Sequence, residues 1–128
     1  MTFKFKNIAL VSILLLSTMV SAKEPTIGAK ANGGVFIYRE AVEMYWNDWT
    51  AYLLMDKKTL KMMGQAHLTL VSEGKTSGFV GNISINCESG KYFWESASNF
   101  GDVLPTEKEI SAIIPAQVIK NATKLFCK

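Results

Sequence analysis

Apolar residues recur at every second position in three successive stretches between residues 65 and 97, and short turn-forming runs separate them. A period of two sends alternate side chains to opposite faces of an extended strand. In "QAHLTLVSE" (65–73), Ala66, Leu68, Leu70 and Ser72 share one face, and His67, Thr69 and Val71 share the other. In "FVGNISINCE" (79–88), Phe79, Gly81, Ile83, Ile85 and Cys87 stand together, with Val80 opposite. In "KYFWESA" (91–97), Tyr92 and Trp94 share a face and Phe93 takes the other. "EGKTSG" (73–78) reads as a turn, and Ser89-Gly90 as a tight hairpin. Three consecutive strands with connections this short make an antiparallel meander.

The period then changes. Residues 98–108 form a polar, turn-rich connection with Gly101 and Pro105, and "EISAIIP" (109–115) is expected to hold a short extended piece. From Pro115, a residue suited to a first helical position, Val118, Ala122, Leu125 and Phe126 fall at i, i+4, i+7 and i+8. That stripe predicts an amphipathic helix over residues 116–126, packed on the sheet, with Lys124 and Lys128 placed to suit its dipole. The stretch "YREAVEMYWNDWTAYLLM" (38–55) supports two readings. Tyr38, Val42, Tyr45, Trp46, Trp49 and Leu53 fit a helical stripe, yet the same aromatic and β-branched residues suit two strands turned at "WNDW". "DKKTLKMMG" (56–64) reads as a charged connection with a single turn whose buried contact is Leu60.

The chain begins with a processing segment. Lys4 and Lys6 form a basic start, residues 8–16 an apolar run broken only by Ser12, and Val20-Ser21-Ala22 a small-residue cleavage site. Residues 1–22 are therefore expected to be a signal peptide cleaved before Lys23, because the apolar run falls well short of the roughly 20 residues that span a bilayer. Residues 23–34, "KEPTIGAKANGG", read as a flexible leader with regular structure starting at Val35, and residues 35–128 as a single domain. Removing Lys4 and Lys6 takes the 14 basic residues to 12, against 11 acidic ones. The charges are interspersed, which gives no footing to a nucleic-acid or anionic-membrane partner, and no second long apolar run follows, so no stable membrane insertion is expected.

Export changes what the two cysteines mean. Cys87 and Cys127 are the only ones. In an oxidising compartment two cysteines of one small domain pair. A Cys87–Cys127 disulfide would staple the terminal helix, otherwise prone to fray, onto the sheet. The expected fold is thus α+β: an antiparallel meander with a C-terminal helix packed on it and disulfide-linked to it.

Residues able to do chemistry are few. His67 is the only histidine, there is no CxxC, and a zinc site wants four clustered ligands. His67 reads as a solvent-facing strand residue with no nucleophile at a useful spacing. Glu40/Glu43 and Glu107/Glu109 read as solvated charge, and Met44, Met55, Met62 and Met63 as core and gap-filling residues rather than copper ligands. No enzyme, cofactor or metal is expected. The aromatic residues keep two readings, a small core or a binding patch. Trp46, Trp49, Tyr52 and Trp94 are the partner-binding candidates, on an exposed sheet face or a free sheet edge.

The arrangement resembles the surface-adhesin protein E family of small exported bacterial proteins. The aromatic stretch leading into "LLMDKKTLKMMG" is similar to that family's tyrosine-rich strand and "D-x-x-S/T-I/L-x-x-x-G" connection. "INCESGKYFW" is similar to its "I-D/N-C-x-x-x-x-Y", and "IIPAQVIKNATKLFCK" to its closing proline-to-cysteine stretch, so the resemblance covers residues 46–128. It favours strands for residues 38–55 and implies binding of host extracellular-matrix proteins. The named adhesin is a lipoprotein, and this chain has no lipidation cysteine after the leader. The expectation is therefore a periplasmic or secreted binding protein, with a host matrix protein as partner. The alternatives are an inhibitor or immunity-type protein that blocks a bacterial enzyme, and a homodimer through a sheet edge.

Overall fold

A computed structural model describes residues 24–54, 64–74 and 78–127. The expected signal peptide, Leu60, Met55, Met62 and Met63 lie outside these residues. Among them, the sheet runs β1 (Lys30–Ala31), β2 (Gly34–Val42), β3 (Tyr45–Leu53), β4 (Gln65–Gly74), β5 (Gly78–Asn86), β6 (Tyr92–Asn99) and β7 (Asp102–Val103). Spatial order equals chain order and every pairing is antiparallel, so the sheet is an unbroken meander. Two helices follow, α1 (Glu107–Ile113) and α2 (Ala116–Phe126).

The alternation read from β4 and β5 sets the core. Ala66, Leu68, Leu70 and Ser72 are buried while His67, Thr69 and Val71 are half-buried, and Phe79, Gly81, Ile83 and Ile85 are buried opposite the exposed Val80. Ile37, Trp49, Ala51 and Ala97 extend that face, and Ile110, Ile114, Val118 and Ala122 cover it from the helices. Small residues let large ones meet. Trp49, Ser72 and Phe79 are successive cross-strand neighbours on β3, β4 and β5. The short serine lets the Trp49 and Phe79 rings approach to 5.4 Å. Phe79 in turn meets Trp94 edge-on at 5.6 Å, above Gly81, where an added Cβ would lie 2.7 Å from one ring and 2.8 Å from the other.

Residues 38–53 are strand, β2 and β3, and the turn is Glu43-Met44 rather than "WNDW", which lies inside β3. Among the described residues regular structure starts at Lys30, earlier than Val35. Asn32-Gly33, with φ of 50° and 86°, turns β1 into β2, and Phe100-Gly101, with φ of 52° and 88°, turns β6 into β7. Two positive φ values in a two-residue loop match the right-handed twist of the flanking strands, and Asn-Gly is the pair that adopts them most readily. The Ser89-Gly90 hairpin forms, but its loop is the five residues 87–91, with Gly90 at φ 75°.

The short extended piece expected within residues 109–115 is instead helix α1, which begins at Glu107. Thr106 caps it, its Oγ1 accepting from the Glu109 N–H at 3.2 Å, and Glu107 and Glu109 occupy the first turn. "T-E-K-E" is the capping-box pattern that announces a helix start. Ile110 and Ile114, four apart, turn inward.

Helix α2 occupies the residues its stripe predicts. Val118 and Ala122 are fully buried, and Leu125, Phe126 and Cys127 pack partly against the core. Asn121, also buried, donates through Nδ2 to the Ile37 carbonyl at 2.7 Å. The β2–β3 register shifts between Phe36 and Tyr38. A bulge leaves its extra residue unpaired in the ladder, and the helix supplies the missing partner. Gln117 Nε2 donates to Asn121 Oδ1 at 2.7 Å, so both ends of that amide are used. Beyond α2, Cys127 is disulfide-bonded to Cys87, with a Cα–Cα distance of 5.2 Å.

Candidate functional site

The four aromatic candidates do not form one patch. Trp49 is 1% exposed, and its indole Nε1–H donates to Glu40 Oε1 at 3.4 Å. It belongs to the core and presents nothing to a partner, a correction to its place among the candidates. It stands on the inward face because it lies opposite Ser72, on the face of β4 that carries Leu68 and Leu70 into the core. Trp94 is half-buried against Phe79. Tyr52 is half-buried with its ring over Gly34, where an added Cβ would come within 2.7 Å of the ring edge. Trp46 alone is well exposed, at 45%.

Two residues not singled out for binding stand beside it: Met44, 87% exposed, and Tyr45, 40% exposed. The exposure of Met44 corrects its reading as a core residue. Together the three residues border a cleft of about 350 Å³ at the tip of the β2–β3 hairpin, with Glu73 and Gly74 at the end of β4 as the far wall. Gly74 is required there, since a Cβ would run into the Asn47 amide and the Trp46 carbonyl. Asn47 is buried, and its Nδ2 donates to Glu40 Oε1 at 3.3 Å.

Trp46 is held in place from below. The Arg39 guanidinium carbon lies 4.5 Å from the indole ring centroid, within the range of a cation–π contact. Arg39 is held by Asp48 in a two-pronged ion pair, Nε to Oδ1 at 2.7 Å and Nη2 to Oδ2 at 3.0 Å. The Asp48 hydrogen bond raises the Arg39 pKa above its usual value, with the charges of Asp48 and Glu24 adding and burial opposing. The planar fork of arginine matches a carboxylate in a way lysine cannot. The indole thus rests on a cation that is fixed in orientation and permanently charged.

His67 is half-buried rather than solvent-facing. Its Nε2 lies 3.1 Å from Gln65 Oε1 and its Nδ1 3.3 Å from Glu95 Oε1. Glu107 and Glu109 are exposed on the first turn of α1, and Glu40 is half-buried, accepting from Asn47 and Trp49. Among the described residues no group of three or more His, Cys, Asp or Glu side chains could hold a metal ion, and no helix is long and apolar enough to cross a membrane. Comparison with protein-family models, with curated proteins and with solved structures finds no match to this chain.

Proposed function

We propose that this chain is an exported, non-enzymatic binding domain that engages a protein partner through the β2–β3 hairpin tip. The observation that carries this reading is the exposed Met44-Tyr45-Trp46 run with its indole fixed on the Arg39–Asp48 pair. Tryptophan, tyrosine and arginine are the residues enriched at interface hot spots, and an anchor held in position loses less freedom on binding. The Cys87–Cys127 disulfide is consistent with an oxidising compartment outside the cytoplasm. The expected signal peptide would deliver the chain there, to the periplasm or the medium.

The resemblance to the surface-adhesin protein E family supports a host extracellular-matrix protein as the partner. A second reading rests on the shape of the same hairpin. Its two-residue turn leaves the apolar Met44 side chain 87% exposed at the hairpin tip, where it can enter a cleft, and a bacterial enzyme blocked by this protein would supply one. The test is surface plasmon resonance of the oxidised chain from Lys23 on immobilised matrix proteins, paired with capture from periplasmic extract. Trp46→Ala should weaken the recovered interaction by about 2 kcal/mol or more, the scale of a hot-spot residue. Arg39→Lys should weaken it less, by loosening the indole, and Val80→Ala, on an exposed sheet position away from the tip, should leave it intact. Full affinity retained by both Trp46→Ala and Met44→Ala would defeat the assignment. A one-to-one complex with a single hydrolase would select the inhibitor reading over adhesion.

A further inference from the structure

Helix α2 meets the sheet along only part of its circumference. Val118 and Ala122 are buried, Asn121 bonds to Ile37 of β2, and the Leu125 side chain lies 3.4 Å from where a Cβ on Gly28 would sit. The adjoining helical face, Ala116, Ile119, Lys120, Thr123 and Lys124, is only partly used: Ile119 packs at the margin of the core, and Ala116, Lys120 and Lys124 are exposed. With Tyr92 it lines a groove of about 520 Å³ between α2 and the start of β6. That volume falls within the range of ligand-binding clefts.

The strand beside this groove has a free edge. β7 pairs only with Ser98 and Asn99, and the Leu104 N–H reaches the Ala97 carbonyl. Among the described residues, Tyr92, Phe93, Trp94 and Ser96 of β6 have a strand partner on the β5 side alone, and Glu95 bulges out of that ladder. Such an edge is a template for a further strand unless charge, proline or a bulge blocks it. Proline and lysine are absent from "YFWES"; its one charge, Glu95, coincides with the bulge opposite Asn82 and Ile83, so the regular run offered to a new strand is Tyr92, Phe93 and Trp94.

Charge selects the occupant. The floor of the groove is apolar, from Ala116, Ile119 and the Tyr92 ring, and among the described residues its only charged lining residues are Lys120 and Lys124. Neither lysine has an ion-pair partner among the described residues. Lys91, exposed just ahead of Tyr92, adds to the same sign. The β6 carboxylate, Glu95, is engaged with His67 on the outer side of the sheet. A second copy added edge to edge would bring another set of lysines toward this one, which opposes pairing of two β6 strands.

We propose that the β6–α2 groove binds an extended acidic segment of a partner protein, added as a further strand beside β6. Its backbone pairs with the free edge, alternate apolar side chains enter the groove over Tyr92 and Ile119, and its carboxylates meet Lys120 and Lys124. This is recognition by strand addition, in which the main chain supplies affinity and flanking pockets supply selectivity. It uses a different surface from the hairpin tip.

The test uses the oxidised chain from Lys23 and a set of fluorescently labelled peptides, read by anisotropy and by amide chemical shifts. A peptide alternating valine and glutamate should bind and shift the amides of residues 92–96 and 116–124. Its valine–glutamine counterpart should bind roughly tenfold more weakly, the scale of two exposed ion pairs. A valine–lysine peptide should not bind, and methylation of alternate backbone nitrogens in the acidic peptide should abolish binding at unchanged charge. Lys120→Glu/Lys124→Glu should reverse the preference between the acidic and basic peptides, whereas Trp46→Ala should change neither, so this groove and the hairpin tip can fail separately. Equal affinity for glutamate and glutamine peptides, undiminished binding of the methylated peptide, or shifts confined to other surfaces would overturn the proposal. Concentration-dependent dimerisation through residues 92–96 that the acidic peptide does not displace would overturn it too, and would make a second copy the occupant.

Discussion

Breaking the Cys87–Cys127 bridge should cost about 4 kcal/mol of stability. The two cysteines are 40 residues apart, and the segment they enclose holds β6, β7, α1 and α2. Closing a loop of that length removes about 13 cal/mol/K of entropy from the denatured chain, which at 25 °C is about 4 kcal/mol. Both cysteines are only half-buried, so replacing the bridge with two hydroxyls forfeits little packing. A small domain holds roughly 5–15 kcal/mol in total, so the loss takes a large share of it. For a domain of about 100 residues the unfolding entropy is roughly 0.2 kcal/mol/K, which places the melting temperature roughly 20 °C lower. The assay is urea unfolding followed by tryptophan fluorescence, on the oxidised chain, the reduced chain and the Cys87→Ser/Cys127→Ser variant. The denatured state expands without the cross-link, so the denaturant slope should rise, and extrapolated free energies must be compared rather than midpoints. A loss below about 1 kcal/mol in both uncross-linked forms would refute the loop-entropy reasoning. It would mean that the burial of Val118 and Ala122 and the Asn121–Ile37 hydrogen bond hold α2 in place by themselves.

Asn121→Ala should destabilise by about 1–3 kcal/mol in thermal or urea melts, because it strands the Ile37 carbonyl in the interior; a near-neutral result would show that water reaches the bulge. Gly81→Ala should cost about 1–3 kcal/mol through overpacking against Phe79 and Trp94, and its near-ultraviolet circular dichroism should change as those rings shift. Gly90→Ala meets nothing within 4 Å, so its penalty should be the backbone term alone at φ 75°, about 1–2 kcal/mol, with the aromatic signal unchanged. Thr106→Ala should cost about 1 kcal/mol by removing the cap of α1; hydrogen exchange should speed in the first turn of that helix and not in α2.

The elements the sequence shows most plainly are those whose periodicity is uninterrupted. β4 and β5 alternate cleanly because one face of each strand is buried and the other is not, and α2 keeps its stripe from Val118 to Phe126. Two missed elements carried local signals. Asn32-Gly33 is a strong hairpin pair, hidden in a stretch whose glycine, lysine and proline content suggests a leader. The Thr106–Glu109 capping box marks α1, whose Ile110 and Ile113, followed by the capping Ile114, look extended because β-branched residues crowd the end of so short a helix. The candidate surface was half legible. Trp46 stood among the candidates, but Met44, Tyr45 and the supporting Arg39–Asp48 pair did not, since their roles depend on where the chain turns.

Sequence alone therefore determined the antiparallel meander, the terminal helix and the pairing of the two cysteines. Each follows from periodicity or from residue count in a given redox setting, and neither needs knowledge of distant neighbours. Tertiary structure decided which aromatic residues are core and which are surface. Trp46 and Trp49 lie three residues apart on one strand, and an odd separation sends them to opposite faces. Which face is covered depends on where α2 lands. That is set by Asn121 meeting the Ile37 carbonyl and Cys127 meeting Cys87, contacts across 84 and 40 residues of chain. The same landing leaves the groove beside β6 open, because a single helix of 11 residues covers only part of one face of the sheet.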